Sequence, residues 1–388
     1  MSSIPSSNLE FEDAVDQTCL AIAKRYCRPQ PMPCRTSDLT GASYVHEVLR
    51  GHAGRAKEML RMKVDVFQKL CESLQNYHGL QATRGVDVDE QVEIFFFICG
   101  QNASSRLTQE RFQHSGDTIH WNFKRVLQAL VELHTAVVTM PTADDPISAD
   151  IARSRKFFPY FRDFVGALDG THIPIHVPAH RQTAFHNRKG FLIQNVLAAC
   201  RFDLSFCYVL AVWEGSAHDG CVLQDSRTKG FIVPSGKYFL GDAGYGISNT
   251  VLTPYRGVEY NLKEWGRPQN AEELFNLRHS SLRNAVERIF GVLRKRFPIL
   301  AKGCQYPVKT QVQLVYTLTI HNFIIKHSGE YELFEEPELI SGNDQGEPPR
   351  DQSVSVVERR EAAVKRENIA KSMWEDYISI SRVRNRQI

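Results

Sequence analysis

The first third of the chain shows the hydrophobic periodicity of amphipathic helices. Beginning near Glu58, apolar residues recur every three or four positions, as they do on one face of a helix. This stripe consists of Met62, Val66, Phe67, Leu70, Cys71 and Leu74. The same spacing predicts three further helices, over Val88–Gly100, Ala103–Phe112 and Asp117–Leu133. We therefore assign residues 58–140 to a helical region. Residues 1–57 mix serine, proline and short apolar stretches, so we expect poor order there apart from one helix near Glu12–Arg25.

Two of these predicted helices are separated by the short break Gln113-His-Ser-Gly116. A helix, a short turn and a second helix form the helix-turn-helix unit, whose second helix enters the DNA major groove. The polar face of the second helix carries Lys124 and Arg125, which are candidate DNA contacts. An ordinary helical bundle would show the same spacing, and the net charge of −4 over residues 1–150 favours the bundle. Both interpretations stay open from the sequence alone.

Beyond Pro146 the apolar period shortens toward two, which is typical of strands. The predicted strands are Phe164–Leu168, Leu192–Cys200, Phe206–Trp213 and Tyr238–Leu240, and the predicted helices are Asp219–Asp225, Glu272–Phe297 and Val308–Lys326. Three adjacent antiparallel strands, a helical crossover and a fourth strand define an α/β fold with a mixed sheet flanked by helices. In this topology the first and fourth strands are neighbours.

The composition of the chain changes again after the last predicted helix. Residues 328–353 are acidic and rich in turn-forming residues, so we expect a flexible linker. Residues Val354–Ile388 are predicted to form a charged helix or tail. This segment is a candidate for contact with a partner protein, or with a second copy of the chain in a homo-oligomer.

Composition and motif content argue against several classes of protein. Of the 388 residues, 42% are hydrophobic and 23% are charged, which is ordinary for a globular protein. No stretch approaches the roughly 18 uninterrupted apolar residues of a membrane-spanning helix, and the N-terminal residues predict no secretory signal. The nine cysteines include no C-x-x-C pair, which favours a reducing compartment over a disulfide framework or a cysteine-rich zinc site. The absence of a P-loop and of a G-x-S-x-G elbow argues against an ATPase and a serine hydrolase.

The net charge of +3 is unevenly distributed along the chain. Residues 151–327 carry a net charge of +11, whereas the segments on either side carry −4 each. This basic excess indicates an anionic partner such as DNA, although a bias toward solubility would look the same. The candidate phosphate contacts in this segment are Arg188, Lys189, Arg283, Arg288, Arg294, Lys295 and Arg296. For Arg294–Arg296 a solvated helix face is an equally good interpretation.

Three acids occupy positions that are typical of a catalytic site. Asp169 ends the first predicted strand, Asp242 follows the fourth, and Glu287 lies on the long helix. Acids at strand ends lie at a sheet edge, where ligands commonly bind. Three converging carboxylates repel one another unless a hard divalent cation such as Mg²⁺ or Mn²⁺ joins them. Each acid taken singly also has a structural explanation, since Asp-Gly is a common turn and Glu287 has Arg283 one helical turn away.

A fourth segment, Ser216-Ala-His218-Asp219, closes the third predicted strand close to these acids. His218 and Asp219 are therefore accessory candidates. His218 would position DNA or a water molecule, or would equally well stabilise the loop.

Seven motifs occur in the order found in the PIF/Harbinger-type DDE transposases, and the chain resembles this family and the nuclease-like proteins derived from it. The motifs are Leu168-Asp-Gly-Thr-His-Ile-Pro-Ile175, His186-Asn-Arg-Lys-Gly190, Gly215-Ser-Ala-His-Asp219, Leu240-Gly-Asp-Ala-Gly-Tyr245, Arg278-His-Ser-Ser-Leu-Arg-Asn284, Val286-Glu-Arg-Ile-Phe-Gly-Val-Leu-Arg-Lys-Arg-Phe297 and His321-Asn-Phe323. They cover about residues 160–327. The helical region is more weakly similar to the N-terminal part of the family.

The resemblance implies a ribonuclease-H-like catalytic core over residues 150–327, with Asp169, Asp242 and Glu287 as the catalytic, metal-binding triad. It implies cleavage of double-stranded DNA and transfer of the new 3′-hydroxyl, with Mg²⁺ or Mn²⁺ as the cofactor. It also implies a Myb/SANT-like partner protein and a location in the nucleus. The alternative is a domesticated transposase that acts as a non-catalytic chromatin or protein adaptor, and a helix-turn-helix regulator is a third class.

Overall fold

A computed structural model describes residues 15–23, 32–187, 189–215, 217–258, 267–317, 320–328 and 354–385. The chain divides into two compact units, Met1–Leu39 and Thr40–Ile388. In the first unit residues 15–23 are helical. This stretch falls inside the predicted helix Glu12–Arg25, whose two ends lie outside the described residues.

Within the described residues, seven helices of the second unit precede its sheet. They are α1 Gly41–Arg50, α2 Ala53–Leu60, α3 Val64–Tyr77, α4 Val88–Gln101, α5 Ser105–Phe112, α6 Gly116–Val137 and α7 Ala149–Ala152. The expectation of poor order up to residue 57 is wrong for its last part. The Thr40 hydroxyl caps α1, and both α1 and α2 bury an apolar face that includes Val48 and Leu60.

In the described part of the chain, five strands form one mixed sheet in the order β3-β2-β1-β4-β5. The strands are β1 Phe164–Pro174, β2 Ile193–Cys200, β3 Phe206–Glu214, β4 Tyr238–Leu240 and β5 Val251–Leu252, with helix α8 Gln182–Phe185 before β2 and helix α9 Asp219–Thr228 before β4. Strands β1, β2 and β3 pair antiparallel, whereas β4 and β5 run parallel to β1. The predicted mixed sheet, with the first and fourth strands as neighbours, is therefore confirmed.

The first strand is longer than predicted, and Asp169 does not end it. Strand β1 continues to Pro174 because Ala167–Pro174 pairs antiparallel with all of β2. The parallel pairing with β4 stops at Ala167 and Leu240. At Asp169, strand β1 is therefore no longer paired with β4 but is still paired with β2. The backbone next to Asp169 is open toward the carboxyl end of β4.

The described residues after the sheet form five helices. They are α10 Ala271–Arg296, α11 Ile299–Lys302, α12 Val308–Tyr316, α13 Ile320–Ser328 and α14 Val356–Asn385. Helix α10 packs against β1 and against α14. The helix predicted over Val308–Lys326 is described as α12 and α13, and residues 318–319 between them are outside the described set. The predicted linker lies outside it as well, apart from residue 328. None of the described helices is both long and apolar enough to cross a membrane.

The C-terminal helix α14 packs along the chain that follows β5. Arg366 donates from Nη1 to the carbonyls of Thr253 and Pro254, at 3.0 and 2.9 Å. Its guanidinium lies 3.9 Å from the ring centroid of Tyr255, a cation–π contact. The charged C-terminal segment is therefore a helix that makes specific contacts with its own chain.

The motif His321-Asn-Phe323 has a structural function in this fold. The side chain of Asn322 accepts from the Phe206 N–H at 2.8 Å and donates to the carbonyls of Phe206 and Val137 at 2.7 and 3.0 Å. One amide thus joins α13 to the start of β3 and the end of α6. These backbone groups are buried or half-buried, so no other partner readily replaces the amide.

We expect Asn322→Leu to lower the free energy of unfolding by about 2 kcal/mol or more, because three backbone groups lose their partner at once. Urea denaturation measures this change. The matched control is Asn368→Leu on the exposed face of α14, for which we expect a change within about 0.5 kcal/mol. Equal effects of the two substitutions would contradict the structural function of Asn322.

Candidate active site

Asp169 and Asp242 lie side by side just beyond the point where strands β1 and β4 stop pairing. Strands β1 and β4 run parallel, and Ala167 pairs with Leu240. Each aspartate is two residues beyond its member of this pair, so the two stand at the same level on neighbouring segments. The expectation that these two acids lie together, drawn from the strand order, agrees with this register.

Helix α10 brings Glu287 to the same place by way of Arg283. The Arg283 guanidinium is 3.0 Å from Asp169 Oδ2 through Nη1 and 2.5 Å from Glu287 Oε1 through Nη2. Arg283 and Glu287 are four residues apart and therefore share one face of the helix. The ion pair between Glu287 and Arg283 that the sequence suggested is thus present. The same Arg283 guanidinium joins Glu287 of the helix to Asp169 of the sheet.

The site concentrates negative charge around Asp169. Burial, followed by the charges of Asp242, Glu287 and Asp219, raises the pKa of Asp169 to about 7, while the charge of Arg283 opposes this shift. A carboxyl group with such a raised pKa stabilises bound positive charge, either a proton or a cation. Perturbed acids of this kind cluster at functional sites.

A fourth acid, Asp219, reaches the cluster as the first residue of α9. Asn195 of β2 donates from Nδ2 to Asp219 Oδ1 and to the Ala217 carbonyl, both at 3.3 Å. Asn195 thereby holds the start of α9 against the sheet. His218, the residue before Asp219, is exposed. Of the two accessory candidates, Asp219 is therefore the one that the structure brings to the triad acids.

Two glycines allow these acids to approach the backbone. A Cβ atom on Gly170 would lie 3.0 Å from Asp219 Oδ1 and 3.4 Å from Asn195 Oδ1. A Cβ atom on Gly244 would lie 2.8 Å from Asp242 Oδ1 and 3.7 Å from Asp219 Oδ2. Any side chain at these two positions would push the carboxylates away, which explains the need for glycine here. Asp219 therefore lies between β1 and the loop after β4.

Two buried oxygen atoms at this point have no hydrogen-bond partner within the described residues. They are Tyr245 Oη and Asn195 Oδ1, and each residue is only 1% exposed. Tyr245 Oη would lie 3.5 Å from a Cβ on Gly170, so it faces the same space as Asp219. The sequence indicated Tyr245 only as the last residue of a motif. It held no signal for Asn195, because an asparagine inside a strand does not reveal its partners.

The donor atoms of the site suit a hard divalent cation. Mg²⁺ and Mn²⁺ prefer carboxylate and other oxygen ligands, and Mg²⁺ usually keeps several of its waters. Among the described residues, no three His, Cys, Asp or Glu side chains are arranged closely enough to hold an ion, and the Arg283 guanidinium stands between Asp169 and Glu287. The unpartnered oxygens of Tyr245 and Asn195 are suited to hydrogen bonds with such waters. The residues present therefore fit a hydrated cation, provided that Arg283 releases its acids.

The prediction that Arg296 contacts DNA is wrong, because this residue is buried. Its side chain is 3% exposed, and Nη1 donates to His321 Nδ1 at 3.1 Å. Burial lowers the pKa of His321 to about 3, so the neutral ring accepts at Nδ1 and donates from Nε2 to the Leu204 carbonyl. Arg296 thus belongs to the interior, because every third or fourth residue of a helix that packs on a sheet faces inward. Arg188 lies outside the described residues.

The remaining basic candidates of this region lie nearer the surface. Arg294 donates to Thr171 Oγ1 at 2.6 Å, two residues along β1 from Asp169. Lys189 and Lys295 are exposed, and Arg288 is half-buried on α10. Arg283 contacts Asp169 itself, and Arg294 contacts Thr171, which is two residues from Asp169 in the sequence.

Lys124 and Arg125 of α6 are engaged within the chain. Lys124 contacts Thr310 Oγ1 of α12, and Arg125 donates to the Gln81 carbonyl at 2.8 Å. The large exposed side chain of α6 is instead Trp121, at 67%. A helix that reads the major groove presents its polar and basic side chains outward. The contacts of α6 therefore favour the helical bundle over the helix-turn-helix interpretation.

Comparison with known families agrees with the geometry. Residues 168–322, which include all four acids, match the family described as DDE superfamily endonuclease. Residues 36–132 match a family described as a domain of unknown function (DUF8040). Less than half of the chain thus resembles the DDE superfamily endonucleases, and the helical region before it matches a different family.

The individual relatives confirm the resemblance to Harbinger-derived proteins. "Putative nuclease HARBI1" of Rattus norvegicus is 27% identical over 209 residues, 52% of this chain and 57% of the relative. The protein of the same name from Mus musculus is 30% identical over 170 residues, 42% and 46% of the two chains. "Protein ALP1-like" of Arabidopsis thaliana is 24% identical over 261 residues, 62% and 61%. The chain thus spans about half the length of the curated relatives it matches. No solved structure matches it significantly.

Proposed function

We propose that this protein is a divalent-metal-dependent DNA endonuclease of the transposase type with a ribonuclease-H-like core. The observation that carries the proposal is the convergence of Asp169, Asp242 and Glu287 from β1, the β4 loop and α10, within the residues that match the DDE endonuclease family. The order of antiparallel β3-β2-β1 followed by parallel β4 and β5 supports the ribonuclease-H-like assignment. The net charge of +11 over residues 151–327 supports DNA as the substrate.

In this proposal Asp169, Asp242 and Glu287 hold Mg²⁺ or Mn²⁺. A divalent cation bound there supplies activation of the attacking oxygen and stabilisation of the leaving oxygen in phosphodiester cleavage. Arg283, once it leaves the two acids, carries a planar guanidinium suited to a DNA phosphate. Arg294 at Thr171, together with the exposed Lys295 next to it on α10, positions the DNA backbone.

The proposal extends to the joining of the freed 3′-hydroxyl to target DNA, to a nuclear location and to a separate Myb/SANT-like partner. Positioning and charge neutralisation dominate phosphoryl transfer, so one set of acids serves both cleavage and joining. In the helical region, the half-buried Lys124 and Arg125 are engaged with Thr310 and the Gln81 carbonyl, which is consistent with DNA-end recognition by a partner protein.

The test is nicking of a supercoiled plasmid by the full chain with Mg²⁺ or Mn²⁺, with and without the partner. We expect Asp242→Asn to lower the nicking rate at least about 100-fold, the scale on which one charge-stabilising group acts in catalysis. The matched control is Glu272→Gln, which removes a carboxylate at the exposed start of α10 and should leave the rate unchanged. An Asp242→Asn protein that nicks at the wild-type rate would refute the proposal.

A further inference from the structure

We infer that Asp219 is a fourth carboxylate ligand of the cation site, and that Tyr245 and Asn195 are positioning residues for it. This inference rests on the proposed metal-dependent function. It extends the triad to a site with four acids, drawn from β1, the β4 loop, α9 and α10.

The first observation is the position of Asp219 between the two aspartates of the triad. Its Oδ1 faces Gly170, the residue after Asp169, and its Oδ2 faces Gly244, whose own neighbour is Asp242 Oδ1. The two carboxylate oxygens of Asp219 are thus directed to the two segments that carry the other acids.

The second observation is independent of the acids. Tyr245 Oη and Asn195 Oδ1 are buried polar atoms, and neither has a partner within the described residues. Tyr245 Oη and Asn195 Oδ1 would lie 3.5 and 3.4 Å from a Cβ on Gly170, where Asp219 Oδ1 would lie at 3.0 Å. Buried polar atoms without partners are rare and call for a ligand or an ordered water. The waters kept by a hydrated Mg²⁺ or Mn²⁺ are donors for both oxygens.

The third observation is that Asn195 holds Asp219 in place. The Asn195 amide donates to Asp219 Oδ1 and to the Ala217 carbonyl, which fixes the carboxylate and the start of α9 together. This bond uses the nitrogen of the side chain and leaves Oδ1 directed into the site. Such partners of a ligand side chain tune the affinity for a metal ion.

The experiment is calorimetric titration of the full chain with Mn²⁺, together with the Mn²⁺-induced shift in melting temperature. We expect Asp219→Asn to weaken Mn²⁺ binding at least roughly tenfold, as even a partner of a metal ligand does. Asparagine keeps the acceptor for the Asn195 amide, so the fold is preserved. Asp242→Asn should weaken binding as well. Asp225→Asn, a second acid of α9 that pairs with Lys229, is the matched control and should bind as the wild type does.

A second variant decides the matter if Asp219→Asn does not fold. Tyr245→Phe removes only a buried hydroxyl without a partner, so we expect an unchanged or higher melting temperature without metal. Its affinity for Mn²⁺ should nevertheless fall, which a purely structural tyrosine would not cause. Unchanged Mn²⁺ affinity in Tyr245→Phe would then overturn the inference.

The outcomes separate this inference from the proposed function. Loss of Mn²⁺ affinity in Asp242→Asn but not in Asp219→Asn would overturn the fourth ligand and leave the endonuclease proposal standing. Absence of Mn²⁺ binding to the wild-type chain would overturn both. Loss of affinity in both variants, with Asp225→Asn unchanged, is the result that we expect.

Discussion

Arg283→Gln is expected to lower the free energy of unfolding of the metal-free protein by about 3 kcal/mol, the low end of the range for breaking a buried ion pair. Arg283 bridges Asp169 and Glu287, and all three side chains are mostly buried. Removing the guanidinium leaves two acids without their cation. The loss stays at the low end because Asp169, whose pKa already lies at about 7, takes up a proton instead.

The same substitution should increase the stabilisation by Mn²⁺. In the wild type the ion competes with Arg283 for the acids, whereas in Arg283→Gln it has no competitor. A ligand stabilises the folded state in proportion to the logarithm of its concentration over its Kd, so tighter binding produces a larger shift. Urea denaturation with and without Mn²⁺ measures both effects.

The matched control for Arg283 is Lys229→Gln. Lys229 and Asp225 form an ion pair with the same spacing of four residues, at 2.7 Å, but the Lys229 side chain is 53% exposed, against 16% for Arg283. Such pairs contribute about 0.5 kcal/mol, so the control should change neither the free energy of unfolding nor the Mn²⁺ effect appreciably. If Mn²⁺ stabilised Arg283→Gln no more than the wild type, the competition between Arg283 and the ion would be refuted.

The second large effect concerns Glu93, which lies inside the helical region on α4. Its side chain is 0% exposed, and neither carboxyl oxygen has a hydrogen-bond partner within the described residues. Burial raises the pKa of Glu93 to about 8, from 4.5. The folded state therefore keeps the proton that the unfolded state releases above pH 4.5. Between pH 4.5 and 8 the protein loses stability through this group, by about 5 kcal/mol in total.

We expect Glu93→Gln to remove this pH dependence, because glutamine does not titrate. The difference in free energy of unfolding between Glu93→Gln and the wild type should be small near pH 5 and should grow, in favour of the variant, up to pH 8. Urea denaturation at several pH values measures this difference. Asp169 titrates in the same direction in both proteins, so its contribution cancels in the difference between their free energies of unfolding. Glu72→Gln on the exposed face of α3 is the control, and a constant difference for Glu93→Gln would show that Glu93 does not titrate in this range.

The helices and most strands could be predicted because their signals are local. The apolar stripe on α3 and the strands around Leu192–Cys200 depend on residues close in sequence. The sequence did not reveal β5, which has two residues, or the extension of β1 to Pro174. Both depend on pairing with distant strands, and Gly170 and Pro174 are residues that usually argue against a strand.

The candidate site divides in the same way. The motifs around Asp169, Asp242 and Glu287 were recognisable in the chain, and the strand order predicted that the two aspartates are neighbours. Asn195 was missed, since its bonds to Asp219 and Ala217 join residues more than 20 positions apart. Arg296 was misassigned, because a cluster of three basic residues does not show which of them faces the core.

The sequence by itself determined the resemblance to a known family, the order of the elements and three of the acids, because each of these is encoded in short motifs and local periodicity. Only the tertiary structure decided which charges meet. It placed Arg283 between two acids, buried Arg296 against His321 and gave Lys124 and Arg125 hydrogen-bond partners within the chain. It also brought Asp219 between strand β1, which carries Asp169, and the loop that carries Asp242. The physical reason is that electrostatic interactions depend on distances in space and on burial, and packing between elements far apart in the chain sets both.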